Sequence, residues 1–128
     1  MREAGQELVE FALILPLLLL LCLGIIEVGR LMLSYNTVAN AAREGARHGI
    51  TIVDPPSGSS TCSAPANAII QHACYRTTGL APGDITIDVN TVGALQVRID
   101  YNFKTVVGNF IPALADVTLS STAIMQKE

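Results

Sequence analysis

Two carboxylates bracket the most apolar part of this chain. Glu10 precedes and Glu27 closely follows Phe11–Ile26, sixteen residues without a charge. A carboxylate beside so much hydrocarbon is costly to keep ionised unless a cation or a hydrogen-bond donor meets it. Arg30 lies three residues after Glu27 and can pair with it along a helix. Glu10 has no cation at such spacing, so a partner would have to come from elsewhere. Further on, Cys62 and Cys74 are twelve apart, with His72 beside the second. Three chemistries fit them: a disulfide, two free thiols, or a zinc site completed by His72. Zinc fits worst, because only three ligands are visible and no paired cysteine spacing exists. Cys22 falls within the apolar run and reads as a small apolar residue. His48 follows Glu44 by four and reads as its helical neighbour. No phosphate-binding glycine loop, HExxH or GxSxG occurs, so the residues define no enzyme, no cofactor site and no small-molecule substrate.

These residues need elements to hold them. The chain has 128 residues, 50% hydrophobic and 15% charged, with net charge 8 − 11 = −3. That excludes disorder, which requires low hydrophobicity, and leaves room for one small domain plus an appended segment. From Ile50 onward there are 4 basic and 6 acidic residues, so no nucleic-acid footprint is expected. Phe11–Ile26 would rise only about 24 Å as a helix. Extending it to Leu8–Gly29 reaches the roughly 20 residues that cross a bilayer core, at the cost of including both carboxylates. A cleaved secretory signal fits poorly, because the first small-residue cluster, Ala39–Ala42, lies well downstream of Ile26. A plain anchor and an anchor that is also an assembly helix remain.

The helical pattern continues past the apolar run. Leu31, Tyr35, Val38, Ala42, Gly45 and Gly49 follow spacings of three and four and mark one face. Arg30, Arg43, Glu44 and Arg47 flank it as a solvated edge, and Ala39, Ala42 and Ala46 allow close approach of another layer. A single helix over Gln6–Gly49 is therefore predicted, with Pro16 a local weak point in its backbone ladder.

The segments Gly5-Gln6-Glu7-Leu8-Val9-Glu10-Phe11-Ala12, Leu15-Pro16-Leu17, Gly24–Arg30 and Asn40–Arg47 together resemble the N-terminus of TadE-like proteins. These are the pseudopilins of tight-adherence (Flp-type) pilus systems. The resemblance covers about the first 49 residues; beyond them only the style of short strands ending in Ala123-Ile124-Met125 is similar. It implies a single-pass protein of the cytoplasmic (inner) membrane with its C-terminal part extracytoplasmic. It also implies a part in building an adhesive or secretion-related pilus, alongside other pilus subunits and assembly-platform proteins. A prepilin-type peptidase would cut after Gly5, leaving Gln6 with the new amine and Glu10 to pair with the amine of a neighbouring subunit. Gln6 is polar, whereas such mature chains usually begin with an apolar residue. The domain plan that follows is a leader at 1–5, a transmembrane segment at 6–29, its amphipathic continuation at 30–49 and an extracytoplasmic αβ domain at 50–128. The alternative is a permanently anchored envelope binding module, which needs neither Gly5 nor Glu10.

After Gly49 the composition changes. Asp54–Thr61 reads as a loop, Pro65–Tyr75 as a short helix burying Ala66, Ile69, Ile70 and Ala73, and Pro82–Asp84 as a turn. Ile85–Val89 and Leu95–Lys104 alternate apolar and polar residues as half-buried strands, and Val117–Met125 is a third strand. The fold expected is α+β and pilin-like: the long helix packed on a small three-stranded antiparallel sheet. So small a core calls for a staple. In an extracytoplasmic setting Cys62 and Cys74 are the candidates, and closing that loop is worth about 3 kcal/mol in the chain-entropy model. The stretch Lys104–Asp116 is unusually apolar for a connection. It reads either as a cover for the core or as an exposed patch for a partner.

Overall fold

The structure, a computed structural model, describes residues 3–109 and 115–126. Met1 and Arg2 of the expected leader, and residues 110–114 of the apolar connection, lie outside the described residues. Helix α1 runs without interruption over Glu3–Ile50, about 72 Å at 1.5 Å per residue. Pro16 sits inside it. Strand β1 follows at Gly58–Thr61, helix α2 at Ala68–Tyr75, then strands β2 at Ile85–Asn90, β3 at Leu95–Lys104 and β4 at Asp116–Met125. The strands form one antiparallel meander in chain order.

The sheet therefore has four strands, one more than the hydrophobic pattern predicts. Gly58-Ser59-Ser60-Thr61 pairs with Val89–Thr86 of β2 through the backbone. Ladder hydrogen bonds need no apolar side chain, so a Gly/Ser segment leaves no alternating signal. The other strands follow their alternation. In β3, Leu95, Val97, Ile99, Tyr101 and Phe103 are buried. They pair across the sheet with Met125, Ala123, Ser121, Leu119 and Val117 of β4. The opposite face of the sheet is polar, as antiparallel sheets with one wet side are.

Helices α1 and α2 cover the inner face. Val38, Ala41, Ala42 and Ala46 of α1 and Ile69, Ile70 and Ala73 of α2 are fully buried against Ile85, Ile87, Val97 and Ile99. Burial of each such isoleucine contributes about 1.5–3 kcal/mol. Glycine sets how close the layers come. A Cβ at Gly45 would stand 3.1 Å from the Ala73 Cβ and 3.3 Å from Val97 Cγ1, and one at Gly49 would overlap Leu95.

Two expectations need correction. Tyr35 is exposed, and Ser34 takes its place on the docked face, with Ala41 beside Ala42. The step from Leu31 to Ser34 to Val38 follows the helical repeat as well as the step through Tyr35, and a hydroxyl packs more closely than a phenol ring. Helix α2 starts at Ala68 rather than Pro65, because the Asn67 side chain caps it by accepting from the Ile70 N–H at 3.0 Å. Ala66 is consequently outside the helix and exposed.

Candidate assembly surface

Helix α1 is one rod in two surroundings. Every residue from Gly5 to Ile26 is exposed or half-exposed, and the hydrophobic side chains from Leu8 to Leu21 point into open space. The free part, about 33 Å by helical rise, matches the roughly 30 Å of a bilayer core. Within α1 lies a candidate membrane span, and its most apolar window is 0% buried by the rest of the chain. A core helix of a water-soluble domain would show the reverse. Gly24 has nothing within 4 Å of where a Cβ would stand, and neither does Gly29. Both are places where another helix backbone can approach.

Gly5, Gln6 and Glu10 all lie on this free part. Gln6 and Glu10 are exposed, and among the described residues no hydrogen bond or ion pair within the chain involves Glu10. None of the described residues of the αβ domain reaches it. Cys22 is likewise exposed, with a free thiol.

Docking begins at Glu27. Its side chain is buried, pairs with Arg30 at 2.9 Å, and accepts a hydrogen bond from the backbone N–H of Val106. The Arg30 guanidinium lies 5.4 Å from the centre of the Phe103 ring, within cation–π range. The pair expected from spacing is present, and Glu27 also ties the helix to the start of the β3–β4 connection. Carrying the docked face back one helical turn from Leu31 reaches residue 27, a signal in the sequence that its charge obscures. Nearby, Lys104 donates to both carboxylate oxygens of Asp84 at 3.0 Å. This bond and the charge behind it hold the Lys104 ammonium above its ordinary range.

At the far end of the helix, Glu44 does not simply face solvent. Its carboxylate lies 3.7 Å from His72 Nε2 and 3.6 Å from Arg76, joining α1 to α2. His48 stacks on His72, ring centres 4.4 Å apart, rather than serving only as the neighbour of Glu44. Arg43 and Arg47 stay on the exposed edge. Cys62 and Cys74 form a disulfide with Cα atoms 5.5 Å apart, tying the end of β1 to α2. With both sulfurs in that bond, no thiolate remains for zinc beside His72.

A small α+β domain mounted on a membrane-length helix fits the class of single-pass membrane proteins. Within it, residues 5–47 match the family model described as TadE-like protein. The matched segment covers the free part of α1 and most of the docked part. Along this part the chain is similar to TadE-like proteins, a family of structural pilus components. No curated protein and no solved structure matches the chain.

Proposed function

We propose that this protein is a pseudopilin, or minor pilin, that takes part in assembling a tight-adherence pilus through its N-terminal helix. The observation that carries the reading is the unpartnered Glu10 on an exposed apolar rod, inside the TadE-like segment. An ionisable group at membrane depth calls for a partner, and this chain supplies none among the described residues. A prepilin-type peptidase would cleave after Gly5 and create an amine at Gln6, four residues from Glu10. Four residues rise about 6 Å along a helix. A parallel neighbour offset by that amount would bring its amine level with Glu10, so the pairing is intermolecular and sets the stagger of subunits. Before assembly, residues 6–29 hold the protein in the inner membrane with the αβ domain on the extracytoplasmic side. Assembly-platform proteins would then pass it to the other pilus subunits.

The test is the N-terminal mass of the protein isolated from its own membrane with the host peptidase present. A chain beginning at Gln6 supports processing, and Gly5→Leu abolishes it. Glu10→Ala leaves cleavage intact and lowers incorporation into pili. A chain still beginning at Met1 or Arg2 would instead favour a permanent anchor.

A further inference from the structure

The start of the connection between β3 and β4 is held at one definite height along α1, at Val106. The Glu27 carboxylate accepts from the Val106 N–H, and Glu27 is the residue immediately after the uncharged run ends at Ile26. Thr105 N–H donates to Ala115 O at 3.1 Å, which closes the base of the connection at that same end of the sheet. From Thr105 to Ala115 the sequence holds no charge, and Val106 and Val107 open it. Val106 is 44% exposed, while at the opposite end of the sheet the β2–β3 turn carries Val92 at 86%. The two turns differ in what faces them. Val92 lies at the end remote from the span, and Val106 lies where a bilayer traversed by α1 would end.

We propose that the start of the β3–β4 connection is a second membrane contact, with Val106 and Val107 seated in the boundary between headgroups and acyl chains of the bilayer that α1 spans. The partner is lipid, and the driving force is apolar burial at the interface. The two cations at this height, Arg30 and Lys104, are already paired with Glu27 and Asp84, so the contact does not depend on anionic headgroups. A lone helix leaves its domain free to turn about the helix axis. A second contact fixes that rotation and holds the polar face of the sheet in one direction. The inference rests on the reading of α1 as a bilayer span, and the experiment separates the two.

The full chain with Cys22→Ala, its Cys62–Cys74 disulfide intact, is reconstituted at low protein density in vesicles of phosphatidylethanolamine and phosphatidylglycerol. An environment-sensitive fluorophore is attached in turn at Leu18→Cys, Val106→Cys and Val92→Cys. Quenching by spin-labelled lipid is compared with quenching by aqueous iodide. The expected result is lipid quenching at 18 and at 106, the latter strongest with the label near the headgroups, and iodide quenching alone at 92. The signal at 106 is expected to persist when phosphatidylcholine replaces phosphatidylglycerol. Iodide quenching at 106 equal to that at 92, with 18 still quenched by lipid, overturns the contact and leaves the span standing. Shielding of 106 from both quenchers overturns it in favour of a protein neighbour. Iodide access at 18 removes the span and the contact together. Val107→Cys repeats the measurement if a probe at 106 perturbs the domain.

Discussion

The two parts of helix α1 have similar backbones and opposite surroundings. Up to Leu21 its leucines are exposed on all sides, with none of the described residues of the domain packed on them. From Glu27 onward one face carries Ser34, Val38, Ala41, Ala42, Gly45 and Ala46 in close contact with the sheet and α2, while Arg43 and Arg47 stay in water. From Phe11 to Ile26 the free part is apolar all round, and the docked part is apolar on one stripe. A helix that is apolar all round needs a solvent of hydrocarbon, whereas a striped one needs only one packed layer. The contrast teaches that large side chains mark the lipid-facing part and small ones mark the protein-facing part. Dispersion between packed layers depends on close approach, and contact with fluid lipid does not.

Substitutions can break this comparison at matched sites. The largest effect is expected from Ile99→Ala under the docked part, which should cost about 2–5 kcal/mol through cavity formation. Leu18→Ala on the free part should leave the unfolding of the domain unchanged. Denaturant unfolding in detergent, followed by the circular dichroism of the sheet, measures both. Next, Gly45→Leu should cost about 1–3 kcal/mol by overpacking against Ala73 and Val97. At Gly24 a Cβ would have nothing within 4 Å, so Gly24→Leu should not register in the same assay. A loss of stability there would mean that the free part is packed in some way absent from this fold.

The carboxylates sharpen the contrast. Glu27→Ala strips the Val106 N–H of its acceptor and Arg30 of its partner, and should cost about 1–3 kcal/mol. Glu10→Ala should cost the isolated domain nothing, so any loss would appear in assembly alone. The smallest effect belongs to the Asp84–Lys104 pair. Its folded ammonium titrates above 10.5. The pair's contribution is therefore complete below that unfolded value and disappears as pH rises through the higher folded one. Lys104→Gln should flatten the alkaline limb of a stability–pH curve without altering its neutral plateau.

Much of the architecture was legible beforehand. Long α1 and strands β2, β3 and β4 follow from periodicity, because apolar side chains recur at 3.6 in one and at 2 in the others. Strand β1 left no such trace, since Gly58, Ser59, Ser60 and Thr61 contribute backbone pairing rather than core volume. At α2 the competition between Pro65 and Asn67 as the starting signal is decided by a hydrogen bond, and composition cannot rank it. The roles of Glu27, His48 and His72 escaped for a related reason. A charged or ionisable residue at the edge of an amphipathic face resembles a solvated one until the layer that covers it is in place.

The sequence by itself determined that the chain carries a bilayer-length apolar helix continuous with an amphipathic one, and that a strand-rich domain follows. These are local properties: hydropathy, spacing and turn chemistry act within a few residues of one another. It also carried the TadE-like signature, which lies along that helix. Only the tertiary structure decided that the helix leaves free space and meets the start of the β3–β4 connection at Glu27, which partner Glu44 takes, and at what height Val106 sits. Each of those depends on contacts between residues far apart in the chain, here residues 27 with 106 and 44 with 72. Such contacts arise from packing two amphipathic surfaces together, and neither surface alone specifies which residue of the other it will meet.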